Sequence, residues 1–318
     1  MMEFMGLDNV RADQLRAPVV TLGTFDGVHL GHRRVLEETL AWARDVGGHA
    51  VVVTFDRHPR GVLGHRPTLC ITSLEHRLEL FRQIGVDCAV VLKFHAATAG
   101  TAPEEFAGRV FHDAIGARRV VLGFDCRFGK GRAGGIDTLR DMRADDGGPL
   151  FEVREAPPVY IDGRKVSSTD IRAAIEAGDL DGAARYLGRP YSIMGKVIHG
   201  DSRGHDMGYP TANLNLHHEI GPPTGVYHTR VVFKTGAYRG RAFTSVTNVG
   251  TRPTFPTGSH GGRIWVETHI LEEFHNNVYG ERMEVIFVRR LRAERKFASG
   301  KSLAEAIKKD IEQVRKLE

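Results

Sequence analysis

Cysteine is scarce in this chain: three in 318 residues, at Cys70, Cys88 and Cys126. Their odd number, wide spacing and lack of any C-x-x-C pair argue against both a disulfide framework and a thiolate zinc site. Long apolar runs are missing too. No window approaches the roughly 20 apolar residues of a membrane span, and the opening MMEFMGLDNVRADQLR mixes acids and bases without the apolar centre of a leader. The chain therefore reads as soluble and cytoplasmic, with no membrane partner. Nor does charge of one sign dominate: 44 Lys and Arg against 39 Asp and Glu leave a net charge of +5. The bases are spread, not clustered with aromatics, which speaks against nucleic acid and suits a protein that handles polyphosphates. Internal repeats and low-complexity tracts are absent.

What is present changes texture part-way along. From Val19 to about Leu187, apolar runs alternate with amphipathic segments: PVVTL then RRVLEETLAWARDV, AVVVTF then SLEHRLELFRQI, CAVVLKF then EEFAGRVFHDAI, and finally RRVVLGF. This alternation predicts a parallel sheet covered on both faces, with ligands beyond the carboxyl ends of its strands. TSLE, residues 72–75, reads as a capping box in which Thr72 and Glu75 open a helix from Leu74 to Ile84. After SSTDIRAAIEAGDLDGAARYLGRP, Gly and Pro recur every few residues. SIMGKVIHG, GVYHTRVVFK, AFTSVTNVG, IWVETHIL and MEVIFVRRLR then predict five or more short strands of an antiparallel barrel or sandwich. A last helix, SLAEAIKKDIEQVRKL, places Leu303, Ile307, Ile311 and Val314 at helical spacing, facing that barrel. The boundary falls near Gly188 to Pro190 and divides residues 1–187 from 188–318.

GTFDGVHLGH, residues 23–32, lies directly after the first apolar run. If a helix starts near Gly31, His29 and His32 face one point at its N-terminus, where unpaired amides and the helix dipole favour an anion. Gly23, Gly27 and Gly31 let the main chain approach a phosphate closely. The histidines add donors that strengthen as a phosphorus centre gains charge. A zinc pair would need a third ligand that the sequence does not offer, and it leaves the glycines unexplained; two surface histidines leave them unexplained as well.

FDGVHLGH after a strand resembles the H-x-G-H signature of the nucleotidyltransferase superfamily, which implies nucleotide contacts for Phe25 and Asp26 as well. VVVTFDRHP at 51–59, GFDCRFGKGRAGG at 123–135 and VSSTDIR at 166–172 resemble, in order and spacing, the FMN adenylyltransferase half of the bifunctional bacterial riboflavin kinase/FAD synthetases. The resemblance implies a Rossmann-like domain in which Ser168, Thr169 and Arg172 hold ATP phosphates and Asp125, Arg127 and Phe128 meet the flavin. On its own residues, SSTDIR is also a plain helix N-cap, and GFDCRFGKGRAGG reads equally as a glycine-rich turn.

MGYPTANLNL, residues 207–216, opens the second half with Pro210 fixing the backbone and Thr211 and Asn213 offering oxygens from one side of an extended segment. Such a pair suits a hard cation, and a polar turn entering a strand accounts for it equally. GKVIHGDSRGHDMGYPTANL resembles the riboflavin kinase module, and NVGTRPTF, WVETHIL, VYGERMEV and RAERKF follow in the family's order. That implies a barrel of riboflavin kinase type with a C-terminal helix, ATP under a loop that includes Gly195, Gly200, Gly208 and Pro210, and Mg2+ held by Thr211 and Asn213. Glu267 alone reads as a solvated strand acid; the resemblance makes it the general base for the riboflavin 5′-hydroxyl.

The implied activity is conversion of riboflavin to FMN and of FMN to FAD, with ATP and Mg2+ for both steps and small molecules as partners; self-association is compatible with it. The chain departs from the family at His205, where an arginine is usual, at Cys126, where an aromatic is, at His95 for an aspartate, and at Arg57 for a proline. A flavin-binding regulatory or carrier protein with one impaired site is the alternative that His205 and Cys126 support, and an RNA-binding protein on the same scaffold, suggested by the basic charge, is a third.

Overall fold

A computed structural model of the chain describes residues 1–58, 69–199, 209–216, 219–251, 264–272 and 278–317. Its contacts divide into two units, Met1–Cys70 with Arg77–Ser168, and Ile71–His76 with Thr169–Glu318.

In the first unit, β1 (Met2–Met5), β2 (Val19–Leu22), β3 (Ala50–Phe55), β4 (Cys88–Leu92), β5 (Arg119–Gly123) and β6 (Glu152–Ala156) form one sheet in the order β1-β4-β3-β2-β5-β6. Every pairing is parallel, as the alternation predicted. The central strands β2, β3 and β4 are buried at every position, which is why they read as unbroken apolar runs. Helix α1 (Leu30–Asp45) follows β2, and α2 (Leu74–Ile84) precedes β4. The cap of α2 is Ser73 rather than Thr72: its Oγ accepts the His76 amide at 3.2 Å, because Ser73 stands directly before the first helical residue. Thr72 is buried, and Glu75 is paired with Arg282. EEFAGRVFHDAI starts as a short helix at Pro103–Ala107 and widens into a π-helical stretch at Gly108–Ala114. Its Phe106 and Phe111 join Phe128, Leu139 and Phe151 in the core.

The second unit holds α3 (Ser168–Ala177), α4 (Leu180–Leu187) and a closed antiparallel barrel of six strands: β9 (Ser192–Ile198), β10 (Ala212–Asn215), β11 (Gly225–Phe233), β12 (Ala242–Thr251), β13 (Ile264–Ile270) and β14 (Arg282–Ala293). Strands β7 (Tyr160–Ile161) and β8 (Arg164–Lys165) form a separate hairpin in the first unit. Closure leaves the barrel no unpaired edge. Thr229, Ser245, Thr247 and Thr268 are buried yet mutually satisfied, with hydroxyl to hydroxyl distances of 2.8, 2.6 and 2.9 Å along the chain of contacts. Helix α5 (Gly300–Arg315) lays Ile307, Ile311 and Val314 against Val226 and Val246, as its spacing predicted, while Leu303 is only half-buried outside that cluster. Arg292 on β14 clamps Asp310 of α5, both carboxylate oxygens lying within 3.1 Å of its Nε.

Candidate active sites

The first site forms where β2 ends and α1 begins. His29 caps α1, its Nδ1 accepting the His32 amide at 3.3 Å. In the neutral ring this leaves the proton on Nε2, which becomes the donor. One turn on, the imidazole of His32 stacks on that of His29 with centroids 3.5 Å apart and planes 16° apart. Gly31 suits this arrangement, because a Cβ there would lie a tight 3.2 Å from the His29 ring. The turn before the helix is strained: Phe25, Gly27 and Val28 all have positive φ, at 49°, 85° and 42°. For a β-branched residue such as Val28 that is a costly conformation, on the order of 1–3 kcal/mol, and the surroundings must enforce it.

Arg77 does much of the enforcing. Its fully buried guanidinium donates from Nη1 to the Thr24 carbonyl and from Nη2, at 2.6 Å, to the Phe55 carbonyl, tying the turn to the end of β3. Burial lowers the Arg77 pKa from its usual value against the opposing pull of Asp26, Cys70 and Asp56. Phe25 is buried edge-on between His32 and Phe81, and Asp26 is buried as well. A Cβ on Gly23 would meet the Phe25 ring at 3.0 Å. Ser168 joins the same loop, its Oγ donating to the Asp26 carbonyl at 3.0 Å. Thr169 and Arg172, on the first turns of α3, belong to the second unit.

Of the residues singled out for flavin, Asp125 and Arg127 are exposed and Phe128 is not. Phe128 is 5% exposed and packs between Phe106 and Phe111, so its ring supports the loop from below. Asp125 pairs with Lys165 at 2.9 Å. Cys126 points back to the Leu22 carbonyl, and desolvation with neighbouring Asp125 pushes its thiol up to about 12, which makes it unreactive. His95 caps the helix Ala96–Gly100 through its Nδ1, and Arg57 lies beside Asp56.

The second site lies on the outer face of the barrel. Asn213 on β10 stands directly opposite Glu267 on β13, and Glu267 stands directly opposite Asn248 on β12. Val266 and Thr268 point into the barrel core, which puts Glu267 on the other face, as strand alternation requires. Trp265 and His269 share that face. The indole Nε1 of Trp265 donates to Glu267 Oε1 at 2.8 Å. His269 Nδ1 lies 2.9 Å from the Pro210 carbonyl, and its ring meets Tyr209 edge-on, so the Tyr209–Thr211 segment is pinned beside the carboxylate. Burial lowers the His269 pKa, the Pro210 carbonyl opposes this and Arg315 adds to it. The neutral ring then supplies the donor at Nδ1. Gly195 has a packing reason of its own: a Cβ there would be 2.7 Å from the Asn215 carbonyl. Gly200, His205 and Gly208 lie outside the described residues.

The residues fit a magnesium ion on one observation in particular. The side-chain oxygen of Asn213 is buried and has no hydrogen-bond partner among the described residues. An orphaned amide oxygen costs about 1–3 kcal/mol, and a hard cation is the partner that removes the cost. Thr211 is half-buried just before the strand.

Comparison with known proteins agrees with both halves. A family described as FAD synthetase matches residues 11–170, and one described as Riboflavin kinase matches residues 187–318. A relative named bifunctional riboflavin kinase/FMN adenylyltransferase from Pseudomonas fluorescens is 35% identical over 98% of this chain and 96% of its own length. The chain belongs to the bifunctional riboflavin kinase/FMN adenylyltransferase family. A member from Bacillus subtilis (strain 168) is 35% identical over 95% of this chain and 92% of its own. A solved structure described as a macrolide-efflux protein from Streptococcus pneumoniae is 30% identical, covers 99% of both chains and has a TM-score of 0.78. No helix among the described residues is long and apolar enough to cross a membrane.

Three residues of this riboflavin kinase/FMN adenylyltransferase family member escaped the sequence reading: Arg77, Trp265 and His269. Only Arg77 carried a signal. It falls on the apolar stripe of α2 with Leu78 and Phe81, where a charged residue has to be buried and bonded.

Proposed function

We propose that the chain phosphorylates riboflavin to FMN with residues 188–318 and adenylylates FMN to FAD with residues 1–187, using ATP in both steps. The observation that carries this reading is the coexistence, in one chain, of a stacked histidine pair at a helix N-terminus and a strand carboxylate opposite an orphaned amide oxygen.

In the first unit the nucleophile is the FMN phosphate, already anionic, so no strong base is needed. An oxygen of that phosphate bonds to the α-phosphorus of ATP, the bond to the β-bridging oxygen breaks, and pyrophosphate leaves. His29 and His32, with the first-turn amides of α1, stabilise the charge that develops at the α-phosphate. Gly23, Phe25, Asp26, Gly27 and Gly31 shape the turn, and Ser168, Thr169 and Arg172 hold the departing phosphates. Asp125 and Arg127 meet the flavin over the support given by Phe128.

In the second unit the nucleophile is a neutral hydroxyl. Glu267 takes the proton of the ribityl 5′-hydroxyl as its oxygen bonds to the γ-phosphorus, and ADP leaves. Thr211 and Asn213 are the residues that would hold Mg2+, which when bound neutralises charge on the phosphates. Gly195, Gly200, Gly208 and Pro210 make the loop over the nucleotide. The protein acts in the cytoplasm on small molecules, without nucleic acid or membrane; its evenly spread charge supports this.

The test is a time course with purified protein, riboflavin, ATP and Mg2+, separating riboflavin, FMN and FAD by chromatography. FMN followed by FAD is the expected order. Binding of flavin without either product would instead favour a carrier.

A further inference from the structure

We infer that Trp265 is a positioning residue for riboflavin phosphorylation, acting through its hydrogen bond to Glu267; this rests on the reading of Glu267 as the general base. The last torsion of a glutamate side chain is broad and two-fold, so a carboxylate on a half-buried strand face has no fixed direction of its own. Trp265 supplies one. Two residues earlier on β13, on the same face, its indole Nε1–H donates at 2.8 Å to Glu267 Oε1. Indole is a donor only, so it cannot compete with the carboxylate for the substrate proton. Among the described residues no other side chain bonds Glu267, which leaves Oε2 to face the substrate hydroxyl.

The surrounding register makes Trp265 the member of this face that can reach. Across β12 from Trp265 stands Gly250, which has no side chain. A Cβ on Gly250 would come within 3.0 Å of Glu294 Oε1 and 3.5 Å of Asn248 Nδ2, so polar side chains already occupy that flank. On the other flank Asn213 stands opposite Glu267, and His269 is bonded to Pro210. A donor–carboxylate bond is stronger than a neutral one, and small displacements of a reacting group are costly, about 100-fold for 1 Å. Loss of the tether alone, with the carboxylate still present, therefore costs turnover more than binding.

The experiment compares Trp265→Phe, which keeps an aromatic ring and removes the N–H, with Trp265→His, which keeps a ring donor, and with Glu267→Ala. Expected are a fall in kcat for riboflavin phosphorylation on the order of tenfold in Trp265→Phe, KM for riboflavin and ATP within about twofold, and partial recovery of kcat in Trp265→His. FAD formation from supplied FMN stays unchanged in all three and shows residues 1–187 intact, while the near-normal KM for riboflavin and ATP, with an unchanged thermal melt, reports on the fold of the barrel. An unaltered kcat in Trp265→Phe, a change confined to KM, or equal losses in Trp265→Phe and Trp265→His would each overturn the inference. Glu267→Ala separates the two claims: if it phosphorylates riboflavin normally, the base assignment itself fails, whatever Trp265 does.

Discussion

The imidazoles of His29 and His32 lie face to face, 3.5 Å between centroids, at the first turn of α1. Two donors at one helix N-terminus concentrate positive potential where an α-phosphate gains charge. Removing a single well-placed donor from such a site typically costs about 100- to 1,000-fold in kcat. His32→Ala is expected to lose FAD formation by that order while FMN formation from riboflavin continues. His29→Ala should be worse, since it also removes the cap of α1, about 1 kcal/mol of helix stability. Product chromatography on each variant decides it; equal loss of both activities with an intact fold would contradict two separate sites.

Arg77 makes a prediction of a different kind, about stability. Arg77→Met strands the buried Phe55 carbonyl, at about 1–3 kcal/mol, leaves the half-buried Thr24 carbonyl with only the Thr54 hydroxyl at 3.4 Å, and releases a turn that holds Phe25 and Val28 at positive φ. Urea unfolding should show a loss of about 2–5 kcal/mol, and FAD formation should fall more than riboflavin phosphorylation. Arg77→Lys should fall in between, because one ammonium cannot reproduce the planar fork. A neutral Arg77→Met would show that the turn holds its shape unaided.

The central strands, α1 and α2, and the C-terminal helix were legible in the sequence because they are periodic or continuously apolar, and both candidate sites stood out as motifs. The edge strands β1 and β6, and β10 of the closed barrel, were not. MEFM of β1 is four residues long, EVREA of β6 carries three charges on a largely exposed strand, and ANLN of β10 is a short polar segment behind Pro210. Each is a strand because of its neighbours in the sheet, and a single sequence does not display neighbours. His269 was hidden for the same reason, because its partner, the Pro210 carbonyl, is met through strand pairing; Trp265 meets Glu267 two residues along its own strand, a same-face neighbour whose bond depends on side-chain conformation. The cap of α2 fell on Ser73 for want of local geometry.

Asn213 yields a prediction about metal. Its buried oxygen lacks a hydrogen-bond partner among the described residues, so Asn213→Ala should not cost the fold the price of a broken hydrogen bond. It should instead raise the Mg2+ concentration needed for half-maximal riboflavin phosphorylation by about tenfold, equivalent to about 1.4 kcal/mol. Removing Mg2+ with a chelator should stop FMN formation in the unaltered chain. A variant that melts several degrees lower with an unchanged Mg2+ requirement would show Asn213 to be structural.

Glu284 sets a pH dependence for the second unit. It is 8% exposed; Oε1 accepts from Ser192 Oγ at 2.7 Å and lies 3.3 Å from His76 Nε2, and Oε2 lies 2.7 Å from Lys234 Nζ. Burial by itself would raise its pKa, but the bonds and charges of His76 and Lys234 outweigh burial and hold the carboxyl well below the usual range. A carboxyl with a depressed folded pKa adds stability that is complete above its unfolded value, about 4.3, and is lost as pH falls below it. Unfolding of the native chain should therefore become easier from about pH 5 downward. Glu284→Gln should lower stability by about 1–3 kcal/mol at pH 7, because the half-buried Lys234 loses its charged partner, and should flatten the decline between about pH 5 and pH 3. Denaturant melts at pH 7, 5 and 4 measure both effects. An identical acid slope in the two proteins would mean that other carboxylates govern the decline.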